Sequence, residues 1–266
     1  FSVSGLALGL VLLPALLLGF ALAAGPVNAQ SVIRTPADGL DAGDVWVPLG
    51  GDKMPAYMAS PAKPGKYPVV INIHGGPEGQ SLPSFSATAQ YLANELGVAM
   101  LVPNVRGSTG YGRKFWESSF KEWGGKMQDD VSDGVKYLIG QGIADPKRVA
   151  IYGGSYGGYA TLAGLTFSPE LYACGVDYVG VSNLFTFMKS IPPYWKPFLE
   201  MMTEMVGDAE KDKAQLTTTS PALNAERIKT PLFIAQGAKD PRVVKSESDQ
   251  MVEALKKRGV AVEYMV

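Results

Sequence analysis

Ser155 stands among glycines in Gly153-Gly154-Ser155-Tyr156-Gly157-Gly158, directly after the apolar run Val149-Ala150-Ile151-Tyr152. Gly-x-Ser-x-Gly between a strand and a helix is the spacing of a nucleophile elbow. The reason is steric. A tight corner strains the serine backbone and thrusts its hydroxyl above the sheet. Side chains two residues before and after it would collide with the neighbouring strand and helix. The chemistry is acyl transfer: Oγ attacks a carbonyl carbon, and the oxyanion that forms needs N–H donors close by. The sequence offers two. One is the N–H of Tyr156, at the electropositive start of the next helix. The other is that of Gly76, in His74-Gly75-Gly76-Pro77 at the end of an earlier apolar strand, where glycine lets the backbone come close to a substrate. Two other readings compete. One is a glycine-rich turn with a solvated serine. The other, a phosphate-binding loop, lacks the Gly-Lys-Ser/Thr ending.

A nucleophilic serine needs a base, and the base needs an acid to orient it. Asp240, in Gly237-Ala238-Lys239-Asp240-Pro241-Arg242-Val243, follows the strand Leu232 to Ala235, where that acid belongs. Its alternative is an Asx-turn before proline. Asp177 ranks second because it falls within a strand. The single histidine, His74, belongs to the oxyanion loop. The order Ser, Asp, His expected on such a scaffold argues against it as the base. Its expected role is to hold that loop by hydrogen bonds. Without a base, Ser155 keeps the weak nucleophilicity of an ordinary hydroxyl.

These residues need a scaffold, and the apolar pattern supplies one. Val45-Trp46-Val47 and Met54 to Met58 read as short strands around a Gly50-Gly51-Asp52 turn, preceded by a Pro-, Gly- and Asp-rich loop from Ser31 to Asp44. Val69 to Ile73, Val98 to Val102, Val149 to Tyr152, Ala173 to Val179, Leu232 to Ala235 and Val260 to Val266 read as buried strands. Helical spacing separates them at Ser86 to Leu96, after Asp129 and Asp130, at Gly158 to Phe167 and at Ser246 to Lys257. Alternation of this kind predicts an α/β chain with a mostly parallel, doubly wound sheet and helices on both faces. Ligands then sit at the carboxyl ends of the strands.

Nearly half the residues are apolar and the formal net charge is −1, which suits a globular chain and gives no sign of a nucleic-acid partner. One cysteine, Cys174, permits no intrachain disulfide, and one cysteine with one histidine makes no metal site of that type. No cofactor is implied. Phe1 to Gln30 carries no charge, and Val27-Asn28-Ala29 ends in small residues, so residues 1–29 read as a secretory signal peptide, with an uncleaved anchor as the alternative. The expected location is periplasmic or secreted. Residues 30–66 read as linker and first strands, and 67–266 as the main domain.

Five motifs in order, HGGPEG, PNVRGSTGYG, EWGGKMQDD, GGSYGGY and GAKDPRV, resemble the catalytic domain of the prolyl oligopeptidase family of serine peptidases, most closely its acylaminoacyl-peptidase and dipeptidyl-peptidase-like branches. The resemblance runs from about Pro68 to Val266. It implies an α/β-hydrolase fold, a Ser–Asp–His triad with Ser155 as nucleophile and Asp240 as acid, and Gly76 with Tyr156 as oxyanion donors. It also implies hydrolysis of peptide or small acyl substrates, with carboxylester hydrolysis or a non-catalytic homologue as alternatives. The insertion between Val179 and Pro231 holds Phe185, Phe187, Tyr194, Trp195, Phe198 and four methionines. In the family this region lines the proline-accepting pocket. Trp195, Tyr194 and Phe198 are the pocket candidates, with Trp195 stacking on an apolar or prolyl group. Arg106 either meets a substrate carboxylate or pins its own loop. No paired-glutamate anchor for a free peptide amine can be placed, so a dipeptidyl mode is not expected. Two departures follow from the resemblance. The stretch before Val69 is too short for the family's β-propeller, so a more open site is expected. The histidine loop that follows the last strand is missing, so the C-terminus is expected to be truncated and this chain nearly inactive as written.

Overall fold

The computed structural model describes residues 40–84 and 86–266. The expected leader, 1–29, and the linker up to residue 39 lie outside them. Eight strands form one sheet: β1 (Leu40–Leu49), β2 (Asp52–Pro61), β3 (Tyr67–Ile73), β4 (Ala99–Pro103), β5 (Ala144–Gly154), β6 (Cys174–Tyr178), β7 (Leu232–Ala235) and β8 (Val262–Met265). The helices are α1 (Ala87–Gln90), α2 (Arg113–Glu117), α3 (Lys126–Gly140), α4 (Tyr156–Phe167), α5 (Leu184–Lys189), α6 (Leu199–Val206), α7 (Lys213–Thr219) and α8 (Lys245–Lys256). The strand order is β1-β2-β4-β3-β5-β6-β7-β8. The β1–β2 and β2–β4 pairs are antiparallel, and every pair from β4 to β8 is parallel. This is the mostly parallel α/β sheet that the alternating pattern predicts.

Register explains why a site forms. Ile73 pairs with Gly153, Gly153 with Asp177, and Asp177 with Ile234. Four central strands therefore end at one level, and the loops after them leave from a single edge. In β3 the buried residues Val69, Ile71 and Ile73 recur every second position and anchor that alignment in the core. Helix α4 is buried from Tyr156 to Thr166, as an element apolar on all sides must be. Its two threonines satisfy themselves: Thr161 Oγ1 donates to the Gly157 carbonyl (3.0 Å) and Thr166 Oγ1 to that of Leu162 (2.7 Å).

Several local expectations change. Leu40 to Asp44 read as loop but belongs to β1, paired residue by residue with Pro61 to Tyr57; cross-strand pairing overrides turn-prone composition. Helix α3 starts at Lys126, so Asp130 is not at its N-terminus; it points inward. The helix expected over 86–96 is α1 followed by a single π turn, Tyr91–Glu95. Cys174, in β6, is half-buried. Among the described residues no helix is long and apolar enough to cross a membrane.

Candidate active site

Ser155 follows β5 and caps α4 with φ 58° and ψ −116°, in a region that a non-glycine residue occupies only under strain. The corner is tied on both sides: Ser155 N–H donates to the Tyr178 carbonyl (2.9 Å), and Tyr159 N–H donates to the Ser155 carbonyl (3.0 Å). The flanking glycines are required by contact. A Cβ on Gly153 would meet the Gly157 backbone, and one on Gly157 would meet the Ile73 carbonyl oxygen. One on Gly158 would strike Asp177 Oδ1 and lie 2.6 Å from Gly180 Cα. Ser155 itself is half-buried and lines an open pocket.

The loop leaving β3 passes beside this serine. A Cβ placed on Gly75 would lie 3.4 Å from Ser155 Cβ and 4.0 Å from its Oγ. Gly76 follows with φ 125°, and its bond to Pro77 is cis. Gly76 and Tyr156 both line the pocket with Ser155. Tyr156 is the first residue of α4, where N–H groups have no partner within the helix. His74 braces the loop from below. Its Nδ1 lies 2.8 Å from the Gly75 carbonyl oxygen and its Nε2 2.9 Å from Ser108 Oγ. Ser108 Oγ in turn donates to the Val105 carbonyl (2.7 Å), which ties the ring to the loop after β4. Burial lowers the histidine pKa, against the pull of the Gly75 carbonyl. With both nitrogens engaged, His74 is a clamp between two loops.

The loop after β7 carries Asp240, the candidate acid. Asp240 Oδ1 accepts from the N–H groups of Arg242 (2.8 Å) and Val243 (3.0 Å), an Asx-type turn that fixes the carboxylate while Val243 reaches the same pocket as Ser155. The turn and the position after β7 therefore coexist. Gln236, which the sequence reading missed, holds this loop: its Nε2 donates to the carbonyl of Val243 (3.0 Å), and its Oε1 accepts from Ser248 Oγ (2.8 Å). Asp177 lies apart from this geometry. It is fully buried beneath the elbow, and neither carboxylate oxygen has a hydrogen-bond partner among the described residues. Burial pushes its pKa up to about 7; the nearby Gly180 amide opposes that rise without completing a hydrogen bond.

The pocket is a cavity of about 290 Å³. Trp195 and Phe198 line it, as do Phe187, Met201, Met202 and Met205 from the insertion. Tyr194 does not: it is exposed and packs edge-on against Trp195. Arg106 does not line it either. Its Nε donates to Asp130 Oδ2 (2.9 Å), its Nη2 to Oδ1 (2.5 Å), and its backbone N–H to Oδ2 (2.9 Å). Arg106 thus pins its own loop to α3, the second of the two roles expected for it. Trp123, Glu78, Val181, Val206 and Val243 also line the cavity and were not singled out from sequence. Glu78 and Trp123 lay inside the motifs HGGPEG and EWGGKMQDD, but nothing in their spacing marked them. Trp123 stacks in a cluster with Tyr156, Tyr159 and Phe187 that floors the pocket.

Residues 83–266 match the sequence profile of the Prolyl oligopeptidase family. The chain is 48% identical over 201 residues to dipeptidyl aminopeptidase BIII of Pseudoxanthomonas mexicana, a match covering 75% of this chain and 29% of that enzyme. It is 32% identical over 203 residues to an acylamino-acid-releasing enzyme of Arabidopsis thaliana, covering 75% of this chain and 26% of the relative. Among solved structures, a puromycin-hydrolysing peptidase of Mycobacterium tuberculosis superposes with a TM-score of 0.79 at 27% identity, over 87% of this chain and 36% of that one. The chain thus spans 29% and 26% of the length of these two sequence relatives. The fold is that of the α/β-hydrolases, and the chain belongs to the prolyl oligopeptidase family.

Proposed function

We propose that this chain carries the catalytic machinery of a serine peptidase, with Ser155 as the nucleophile. The observation that supports it best is the strained Ser155 backbone at the head of a buried helix, opening into a pocket that it shares with Gly76 and Tyr156. In this reading Ser155 Oγ attacks the scissile carbonyl. The N–H groups of Gly76 and Tyr156 receive the oxyanion, helped by the positive end of α4. Asp240 orients the imidazole that takes the proton from Oγ and returns it to the leaving amine. His74 is not that imidazole, because both its nitrogens are engaged in the clamp. These 266 residues contain no other histidine, so turnover by them alone is expected to be close to nil. Peptide bonds are the favoured substrates because the relatives named above carry peptidase names. Trp195 and Phe198 receive the apolar group beside the scissile bond. Residues 1–29 fit a leader that places the protein in the periplasm or outside the cell; their uncharged, apolar composition supports this.

The test is chemical rescue. The chain is treated with a fluorophosphonate probe, with and without added imidazole, and the modified residue is mapped by mass spectrometry. Imidazole is expected to raise labelling at Ser155, Ser155→Ala to abolish it, and Asp240→Asn to weaken the rescue. Labelling elsewhere, or rescue indifferent to Ser155→Ala, overturns the assignment. Where rescue occurs, relative kcat/KM on an alanine-linked anilide and a p-nitrophenyl ester separates peptidase from esterase chemistry.

A further inference from the structure

The pocket beside Ser155 is apolar and aromatic except at one point. Of its lining residues only Glu78 carries a formal charge. Glu78 stands two residues beyond Gly76, whose added Cβ would lie 2.5 Å from the Glu78 nitrogen, so its backbone shares the tight turn of the candidate oxyanion donor, and the residue lines the pocket. Among the described residues no lysine or arginine pairs with it; Arg106 is engaged with Asp130. Its charge reaches into the site, since it helps raise the pKa of the buried Tyr156 phenol, after burial itself, Tyr159 and Asp130. Its own carboxyl is raised by partial desolvation, opposed by its own backbone N–H, while its exposed surface limits that rise.

One unpaired carboxylate at the rim of an aromatic and methionine-rich wall is complementary to a cation on an apolar stem. Trp123, Trp195 and Met202 line the same pocket as Glu78, so a stem along them would bring its cationic head to Glu78, with the aromatic faces adding cation–π attraction. We propose that Glu78 determines specificity, selecting substrates that carry an ammonium or guanidinium group next to the scissile bond. This rests on the reading of Ser155 as nucleophile. The cation has two possible sources, a Lys or Arg side chain and a free α-amine; both present the same chemistry to Glu78.

The test needs no turnover. Tryptophan fluorescence follows binding of n-butylguanidinium and of its neutral counterpart n-butylurea to the whole chain. The wild type is expected to prefer the cation about five- to tenfold, Glu78→Asp to retain part of that preference, and Glu78→Gln to abolish it. N-acetyl-lysinamide and leucinamide, with N-acetyl-leucinamide as the uncharged reference, then distinguish a side-chain cation from a free amine. Equal binding of the charged and neutral probes in the wild type, or a preference that survives Glu78→Gln, overturns the proposal, as does failure of both amides to bind more tightly than the reference. Ser155→Ala is expected to leave the preference intact. A failed serine-labelling result with intact cation preference therefore counts against the nucleophile alone, and the reverse counts against Glu78 alone.

Discussion

Asp177 shows how far burial can drive one carboxyl when nothing pairs with it. It sits under the elbow between Gly158 and Gly180, where an added Cβ at either position would meet its Oδ1. Both glycines make room for an acid that finds no hydrogen-bond partner among the described residues. The folded chain keeps this proton to about pH 7, whereas the ordinary carboxyl of the unfolded chain releases it near 3.8. Between those values the native state binds more protons than the unfolded one. Stability therefore falls as pH rises across that window, and the loss is complete above it. Asp177→Asn is isosteric and uncharged, so it is expected to flatten this slope and to exceed the wild type at pH 8 by an amount on the order of 2–4 kcal/mol. Urea unfolding of both proteins at pH 5 and pH 8 measures the difference; parallel pH dependence in the two would show that Asp177 does not carry the proton. Gly157 sets the opposite kind of limit at this scale. Its neighbour is the Ile73 carbonyl oxygen, a backbone atom of a buried strand that cannot swing aside.

At the scale of elements, the site depends on how loops are anchored to helices. The turn after β6 carries Val181 into the pocket, and α8 holds that turn through one buried carboxylate. Glu247 Oε2 accepts from the N–H groups of Ser182 (3.0 Å) and Asn183 (2.9 Å), and its Oε1 accepts from the Thr186 hydroxyl. Ser182 Oγ also donates to the Glu247 carbonyl (2.7 Å). This one side chain satisfies the two amides just before α5, while the first amides of the helix itself, those of Leu184 and Phe185, donate to Ser220 Oγ (3.0 Å) and Asn183 Oδ1 (3.0 Å). Glu247→Ala leaves two buried amides without an acceptor, at about 1–3 kcal/mol each. The expected result is a fall in urea midpoint together with faster amide exchange confined first to residues 180–186. Uniformly faster exchange over the whole sheet, with no local effect, would mean that Glu247 supports the core and not this turn.

At the scale of the whole molecule, one ion pair among the described residues stands apart from the rest by its burial. Most ion pairs are exposed and lie within a turn of helix or loop, such as Arg113–Glu117, Lys136–Asp133 and Lys257–Glu253. Pairs of this kind contribute about 0.3–0.5 kcal/mol and are screened by salt. Arg106–Asp130 differs: Asp130 is fully buried, and the bridge joins the loop after β4 to α3 by three hydrogen bonds. Arg106→Met strands that carboxylate and is expected to cost about 3–5 kcal/mol, whereas 1 M salt should move the wild-type midpoint by less than about 1 kcal/mol. Guanidine-free urea titrations of the two proteins, with and without NaCl, check both statements, and a mild Arg106→Met variant would refute them. Local pattern was enough for the strand cores and the elbow, because a buried β-branched run and a Gly-x-Ser-x-Gly corner are legible from neighbours in sequence alone. It was not enough at Leu40 to Asp44, whose turn-prone residues become strand only because β2 lies alongside, nor at Asp130, whose partner lies 24 residues away. Nor did it separate Arg106, which pins a loop, from Glu78, which faces the pocket. Amino-acid order by itself determined which backbone segments are buried and where a strained serine must sit, since those depend on composition and spacing within one element. Only the tertiary structure decided which charges are paired, because pairing depends on strand register and helix packing that bring distant residues together.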